Sequence, residues 1–388
     1  MTFVIITHVP HMYEQQQYFA YSPYVREMNI WGKYVEKLHI VAPLSQQAVS
    51  TIDIPYEHAA VSFQEVKSFS LTSFRQFLQA LFKIPGISFS IFKAIQQADH
   101  VHLRCPGNIG LLGAIVQIAF PKISKTAKYA GNWDPKAKQP WSYRLQKWIL
   151  SNTFLTRNMQ VLVYGEWEAT SKNIKPFFTA TYSEKDKIDL DCLQANRFEI
   201  LRQSEIRLLF VGTLSTGKQP SYAIQLVEQL QLNNYSVRLD LYGDGDERNH
   251  IERHILEKNL QNSIILHGNQ TKETIQLAYQ SGHFLILPSK SEGWPKVVAE
   301  AMFWGCVPIA TAVSCVPNML AHGDRGLLLS MDVVKDSTRI QNIVGDASIF
   351  FSKSTKAAKW SRLYTLEYFE SEIKKIVREV FRPITKES

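Results

Sequence analysis

The sequence predicts an α/β protein of two domains, each a parallel sheet flanked by helices, facing each other across a cleft. At 388 residues the chain is too long for one ordinary core, since a domain takes roughly 150 residues. Hydrophobic residues make up 45% and charged residues 20%, near the globular average, which excludes disordered and fibrous classes. Short β-branched and aromatic runs alternate with longer amphipathic stretches, and the alternation occurs in both halves.

The first domain is read as residues 1–183. It opens with a strand from Phe3 to Thr7, because Met-Thr-Phe-Val-Ile-Ile-Thr-His has no basic leader and turns polar after six residues, unlike a signal peptide. Pro23 to Leu38 follows as an amphipathic stretch and His39 to Ala42 as a strand. Phe74 to Gln97 is amphipathic, His100 to Leu103 a strand, and Gly110 to Phe120 again apolar and helical. The longest apolar run, Ile109 to Phe120, holds about a dozen residues and contains Gln117, short of the roughly 20 that span a bilayer. A soluble or peripheral protein is expected.

Residues 183–204, headed by Glu184-Lys185-Asp186-Lys187, are charged and weakly periodic, and are read as the hinge. The second domain, residues 205–355, repeats the pattern. Strands are expected at Leu208–Val211, Val237–Tyr242, Ile264–Leu266 and Phe284–Leu287, and helices at Tyr222–Gln231, Glu247–Lys258, Lys272–Tyr279 and Pro295–Phe303. The tail is helical in pattern from Lys356 to Phe381, with two readings: a surface helix of the second domain, or a return onto the first.

Lys and Arg number 43 against 35 Asp and Glu, a net charge of +8 without a basic block, which points to an anionic partner but not to nucleic acid, for which no recognition module is present. Cys105, Cys192, Cys306 and Cys315 form no C-x-x-C pair, so no zinc site or disulfide framework is expected, and a reducing cytoplasm fits.

In open α/β sheets, ligands sit beyond the carboxyl ends of the strands, so the loops there carry the chemistry. The richest runs from Leu287 to Thr311, read as strand, turn, helix, Gly-Cys-Val-Pro turn and strand. Pro295 suits a first helical turn, where its missing N–H is no loss, and Gly305 suits the exit. A helix start binds anions through its N–H groups and dipole, so a diphosphate is expected there. Glu300, one turn inside, suits two neighbouring hydroxyls such as those of a ribose, and Glu292 a hydroxylated or partly cationic group. A second loop, Phe210-Val-Gly-Thr-Leu-Ser-Thr-Gly-Lys218, is either a phosphate cradle with a neutralising Lys or a plain strand-to-helix turn. A third, Leu241-Tyr-Gly-Asp-Gly-Asp, has G-x-G without the third Gly of a dinucleotide fingerprint.

Taken in order, Gly212 with Lys218, Gly243 with Gly245, and Pro288-Ser289 through Glu292, Glu300, Ala301, Met302, Gly305, Pro308 and Ile309 resemble the second domain of the retaining GT-B glycosyltransferases of the group 1 or family 4 type. Gly323-Asp-Arg-Gly-Leu-Leu-Leu329 resembles their D-G-x-x-G-L-L ending. The resemblance covers Ile206 to Leu329 by motif and the first domain by architecture. It implies a GT-B fold, α/β with two Rossmann-like domains, and a tail helix (residues 360–382) that completes the first. By the same resemblance, Glu300 binds the donor ribose, and Glu292 and Lys218 act in catalysis. Gly212, Thr213, Gly293, Trp294, Lys296 and Val297 address the donor diphosphate and sugar, and Gly243 and Gly245 form the nucleotide loop.

Two positions depart from the pattern. Thr213 stands where the family has Arg, with Lys296 and Arg207 as substitutes, and Pro295 stands where many members have Gly. In the first domain, Tyr129-Ala-Gly-Asn-Trp-Asp134 lies where relatives carry a His. Asn132 or Asp134 either contacts a sugar there or forms an Asx-type turn capping the next helix. His11, and less so His8, follow the first strand and would face the cleft.

The implied activity is transfer of a sugar from a nucleoside-diphosphate-sugar to a hydroxyl of a glycan or lipid-linked acceptor, with retention, in cell-surface polysaccharide, lipopolysaccharide or capsule biosynthesis. No cofactor and no metal is expected. The alternatives are a non-catalytic nucleotide-sugar or glycan binder of this fold, and an epimerase or phosphorylase acting on a related sugar phosphate. Basic and aromatic residues interleave from Lys136 to Trp148, and Arg75, Lys83 and Lys93 punctuate the Phe-rich stretch from Phe69 to Phe92. Either surface would suit peripheral contact with an anionic membrane at its cytoplasmic face, or packing beneath the first sheet.

Overall fold

The computed structural model describes residues 1–50, 52–70, 74–168, 170–202 and 205–381. Residues 71–73 and the side chain of Arg75, in the Phe-rich stretch, lie outside the described residues, as do residues 203–204 of the expected hinge and residue 382 of the expected tail helix. The chain forms two compact units, Met1–Phe178 with the chain from Phe369, and Thr179–Tyr368.

The first unit runs β1 (Thr2–Ile6), β2 (Met12–Glu14), β3 (Gln17–Tyr21), α1 (Ser22–Gly32), β4 (Lys37–Ala42), β5 (Asp53–Pro55), β6 (Val61–Glu65), α2 (Phe74–Gln96), β7 (His100–Cys105), α3 (Asn108–Val116), β8 (Ser124–Tyr129), α4 (Trp141–Ser151), β9 (Met159–Tyr164) and β10 (Ile174–Phe177). Seven strands form a parallel sheet in the order β10-β9-β8-β7-β1-β4-β6. Phe3 to Ile6 are wholly buried, which is why this strand reads as a continuous apolar run: helices cover both faces of a parallel sheet. A small antiparallel sheet, β2-β3-β5, went unpredicted. Its tight turn places Gln15 and Gln16 at positive φ, with none of the Gly or Asn that marks such turns.

Helix α2 corrects the reading of apolar length. Counting only unbroken runs overlooked Leu78–Gln96, a 19-residue window of mean hydropathy 1.3 that is long and apolar enough to cross a membrane by length and composition. In the structure one side of α2 flanks the sheet, burying Ala80, Ile87, Ile91, Ala94 and Ile95.

The second unit runs α5 (Leu190–Arg202), β11 (Glu205–Val211), α6 (Pro220–Leu232), β12 (Ser236–Tyr242), α7 (Arg248–Glu257), β13 (Ile264–Gly268), α8 (Lys272–Ser281), β14 (Phe284–Leu287), α9 (Lys296–Phe303), β15 (Val307–Thr311), α10 (Val316–Met319), β16 (Leu327–Leu329), α11 (Val333–Gly345) and α12 (Ala347–Ser361). Its parallel sheet has the order β13-β12-β11-β14-β15-β16. Last comes α13 (Leu366–Phe381).

The expected hinge at residues 183–204 is not a linker. Most of it is α5, whose Arg197 is buried and donates to the carbonyls of Tyr279, Gly282 and Trp304 at the ends of α8 and α9. One guanidinium thus satisfies acceptors left over at two helix C-termini, and α5 belongs to the core of the second unit. The tail is likewise two helices, α12 and α13, interrupted after Ser361. From Phe369 onward α13 packs in the first unit. Phe369 meets Phe177 and Phe178 edge-on, at centroid distances of 5.5 and 5.7 Å, and Glu370 accepts from Tyr34 Oη and Lys33 Nζ.

Candidate functional site

In the second sheet β11 has β12 on one side and β14 on the other, so the connections leaving β11 and β14 diverge and open a crevice at the carboxyl ends of these two strands. The loops bordering it are those read from sequence, residues 212–219 and 288–295.

Backbone hydrogen bonds lace the loops after β11, β12 and β13 together. Gly212 N donates to Tyr242 O (2.9 Å), Leu214 N to Asp244 O (3.0 Å), Glu247 N to Leu214 O (3.0 Å) and Gly243 N to Gly268 O (2.8 Å). The approach is close enough to demand glycine: a Cβ on Gly243, which has φ +132°, would stand 2.0 Å from Gly212 O, and one on Gly245 2.4 Å from Leu214 O. Three N–H groups of the expected cradle at residues 210–218 are spent within the protein. Those of Gly212, Leu214 and Lys218 are committed to carbonyls, the last to Ser215 O. The loop also presents the Lys218 ammonium, with Thr213 exposed and open space before Gly212.

Lys218 Nζ meets Glu292 Oε1 at 2.5 Å, joining the two loops across the crevice, and Lys290 N donates to Gly217 O (2.9 Å) beside them. The Glu292 side chain is 9% exposed and that of Lys218 30%. The Gly293 carbonyl accepts from Ser314 Oγ (2.9 Å) and Cys315 Sγ (3.3 Å), and burial pushes the Cys315 thiol up to about 12, so it stays a protonated donor. Turning this carbonyl toward residues 314–315 keeps an acceptor away from the helix start, where negative charge is favoured.

Helix α9 begins after Pro295, whose carbonyl is the first acceptor in it, taken by Val298 N and Ala299 N. The N–H groups of Lys296 and Val297 lie ahead of that first acceptor, as in any α-helix start. Gly305, at φ +71°, ends the helix, with Gly305 N on Met302 O and Cys306 N on Ala301 O. Glu300, in the second turn, accepts from Thr181 Oγ1 (2.7 Å) and Tyr279 Oη (3.3 Å). Burial, with the Glu300 charge in support, pushes the Tyr279 hydroxyl well above the usual phenol range, so it too remains a donor. Lys296 and Glu300 line one narrow crevice with Thr181 and Tyr182.

Neither Thr181 nor Tyr279 was predicted. Thr181 is 119 residues from Glu300 in sequence, and no local pattern links them. The Trp294 ring packs with Trp360 and Tyr364, at centroid distances of 6.2 and 5.9 Å, so among the donor-binding predictions only its backbone borders the helix start. Arg207 is corrected as a substitute cation. It lies near the start of β11, the opposite edge from the loops, and pairs with Glu205 at 2.8 Å.

In the first unit the divergence falls between β1 and β7, since β4 and β7 flank β1. His11, expected to be open to a ligand, is instead fully buried: Nδ1 lies 2.8 Å from Val9 O and Nε2 2.9 Å from Tyr56 Oη, and burial lowers its pKa to about 4. Aromatic rings of Tyr24, Tyr56 and Phe63 enclose it, so its role is structural. His8 is the exposed one, beside Gly107, where a Cβ would stand 2.5 Å from His8 Nδ1. Asn132 Oδ1 accepts from Asp134 N (2.9 Å), and Asp134 Oδ1 from Lys136 N (2.8 Å). These are Asx turns, as one of the two readings had it, but they cap no helix, because α4 starts later, after Pro140.

Residues 194–343 match the profile of the family described as glycosyl transferases group 1. Among curated relatives, an uncharacterized protein in the cps region of Klebsiella pneumoniae is 22% identical over 158 residues, 41% of each chain. The alpha-D-kanosaminyltransferase of Streptomyces kanamyceticus is 25% identical over 122 residues, 31% of this chain and 32% of the relative. The chain thus matches less than half the length of these relatives. Solved structures are similar over nearly the whole chain. Sucrose-phosphate synthase from Thermosynechococcus elongatus has a TM-score of 0.66 at 17% identity, covering 98% of this chain and 99% of that one. HepE of Anabaena, solved in complex with UDP and glucose, has a TM-score of 0.67 at 12% identity, covering 98% and 100%. The fold is that of the GT-B glycosyltransferases, with two Rossmann-like domains.

Proposed function

We propose that this chain is a group 1 glycosyltransferase that moves a sugar from a nucleoside-diphosphate-sugar to a hydroxyl of a glycan or lipid-linked acceptor, with retention at the anomeric carbon. The observation that carries the reading is the Lys218–Glu292 pair spanning the divergence of β11 and β14, next to the start of α9 and one turn from Glu300. That juxtaposition lies within the segment matching the family.

Cleaving the anomeric bond builds positive charge on the sugar ring and negative charge on the departing diphosphate. In the proposed reaction the Lys218 ammonium and the N–H groups of Lys296 and Val297 meet the diphosphate, supplying preorganised electrostatic stabilisation. Glu292, released from Lys218 as the phosphate engages it, holds a hydroxyl of the donor sugar. Glu300 takes the ribose diol, exchanging the hydroxyl donors of Thr181 and Tyr279 for those of the ligand. The acceptor hydroxyl attacks the anomeric carbon from the side of the leaving group. Its proton passes to the departing phosphate oxygen, so no protein base is required for retention. Charge neutralisation by Lys218 and the helix start makes the proposed reaction independent of metal ions.

The UDP named in the HepE structure makes uridine nucleotides the first donors to try, and the cps-region relative makes a surface polysaccharide the first acceptor class. Action at the inner face of the cell membrane belongs to the same proposal. Thr213, exposed where the pattern of the resembled family has Arg, favours a second reading, a nucleotide-sugar binder without turnover. Screening UDP-, GDP-, ADP- and dTDP-sugars by thermal shift, then following nucleotide release with candidate acceptors with and without EDTA, separates the two. Release of nucleoside diphosphate with an α-linked product from an α-linked donor, undiminished by EDTA, is the expected result. Binding of a donor without release under any acceptor supports the second reading, and no binding by any donor overturns both.

A further inference from the structure

At the other edge of the first sheet, where β8 and β9 begin, the chain surrounds an open cavity of about 590 Å³. The residues after β1, β7 and β8 leave from the opposite, carboxyl edge, so this cavity is separate from any site the fold places there. Lys122, Lys125, Arg157, Lys172 and Lys175 line it, against one carboxylate, Glu379, which accepts from Gln160 Nε2 at 2.8 Å. None of the five cations has an ion-pair partner among the described residues, although most charged side chains lining the second unit's crevice are paired or hydrogen-bonded.

The buried member is Lys125, 1% exposed, whose ammonium donates to a single neutral acceptor, Phe120 O at 2.6 Å. Burial lowers its pKa to about 8. A buried ammonium facing one carbonyl is costly, and an anion beside it would recover the lost solvation. The remaining four stand exposed around the mouth, where like charges on low-dielectric walls concentrate an anionic ligand. Thr126 Oγ1 lies within bonding distance of both His100 Nε2 (2.9 Å) and His102 Nδ1 (2.8 Å) and has one proton to give, while His100 Nδ1, in the same wall, is buried with no partner among the described residues.

We propose that this cavity is an anion site for a phosphate-bearing ligand, with Lys125 at its floor and Lys122, Arg157, Lys172 and Lys175 at its mouth. The proposal does not rest on the donor reading. A soluble phosphate ester and an anionic lipid headgroup share this chemistry. Phe154, 70% exposed with the Arg157 guanidinium 4.7 Å over its ring, makes the second worth its own arm.

The test uses the full chain in two arms: calorimetric titration with inorganic pyrophosphate, and co-sedimentation with phosphatidylglycerol vesicles against phosphatidylcholine vesicles. Arg157→Glu combined with Lys172→Glu removes mouth charge at exposed positions, and Lys218→Ala reports pyrophosphate held by the second unit. Binding in either arm that weakens about ten-fold or more in the double variant and persists in Lys218→Ala is the expected result. The responding arm names the source. Should the double variant lose its native circular dichroism, Lys122→Gln with Lys175→Gln replaces it. No binding by the wild type in either arm, or binding indifferent to these substitutions, overturns the proposal.

Discussion

Replacing Lys218 by Ala separates a leaving-group device from a mere clasp between loops. Two groups address the proposed diphosphate: a full positive charge on Lys218 and the start of α9, worth roughly half a charge. Removing the ammonium therefore takes the larger share, and turnover should fall roughly 10²–10³-fold, about 2.7–4 kcal/mol of transition-state stabilisation. The stability cost is smaller. Lys218 is 30% exposed, so the screened pair with Glu292 contributes on the order of 1 kcal/mol. The backbone bond from Lys290 N to Gly217 O still ties the two loops when the pair is gone, so loss of turnover is not loss of the loops. Nucleoside-diphosphate release from the donor found by screening measures the first quantity, and urea denaturation the second. In a cycle with Glu292→Gln, the stability coupling should be about 1 kcal/mol, and Glu292→Gln alone should also lose turnover. A Lys218→Ala protein that turns over within about three-fold of wild type, while showing that stability coupling, would make the pair structural and refute the proposed chemistry.

Gly243→Ala should destabilise the second unit by roughly 2–4 kcal/mol, because the new Cβ meets the Gly212 carbonyl at 2.0 Å at a positive φ. Gly217→Ala, whose Cβ meets only Ser215 Oγ at 3.9 Å, should be nearly silent, and equal denaturation midpoints for the two would contradict the laced-loop geometry. Glu300→Ala should chiefly raise the donor Kd, by about ten-fold or more for two charge-assisted hydrogen bonds, with folding intact; an unchanged calorimetric Kd would remove Glu300 from the ribose site. Acid should weaken the fold in a defined window. Burial lowers His11 and His283 to about 4 and His100 to about 3 from the ordinary 6.5, so between those values the unfolded chain binds more protons. Their stabilisation is then present in full above pH 6.5 and lost as pH falls towards 4, at up to about 1.4 kcal/mol per pH unit for each. His283→Gln keeps an acceptor for Arg207 N and a donor for Arg197 O, and should flatten the slope by one proton; an unaltered pH profile of urea midpoints would count against this assignment.

Strand and helix positions along both sheets were legible because burial on two faces forces continuous apolar runs at Phe3–Ile6 and Phe284–Leu287, and helix ends carry Pro and Gly for local steric reasons, as at Pro295 and Gly305. The residues bordering the crevice of the second unit were legible for the same reason: a strand end, a turn and a helix start lie close in sequence. Local signals failed where distant chain segments decide the outcome. Residues 183–204 are charged and weakly periodic, yet α5 forms because Arg197 finds three carbonyls that only the folded unit assembles. His11 lies three residues beyond His8 along the chain from β1, and nothing in the sequence says which of the two is enclosed by Tyr24, Tyr56 and Phe63.

The sequence by itself determined that there are two parallel α/β sheets, and that Lys218, Glu292 and Glu300 leave the carboxyl ends of the second one's strands, since these follow from periodicity and from turns encoded within a few residues. Only the tertiary structure decided that Gly212 and Leu214 give their N–H groups to the carbonyls of Tyr242 and Asp244, that Lys218 grips Glu292, and that Thr181 and Tyr279 hold Glu300. Those contacts join groups far apart in the chain. Hydrogen-bond partners and room for a Cβ are properties of packed surfaces, and they come into being when the sheet order brings the loops together.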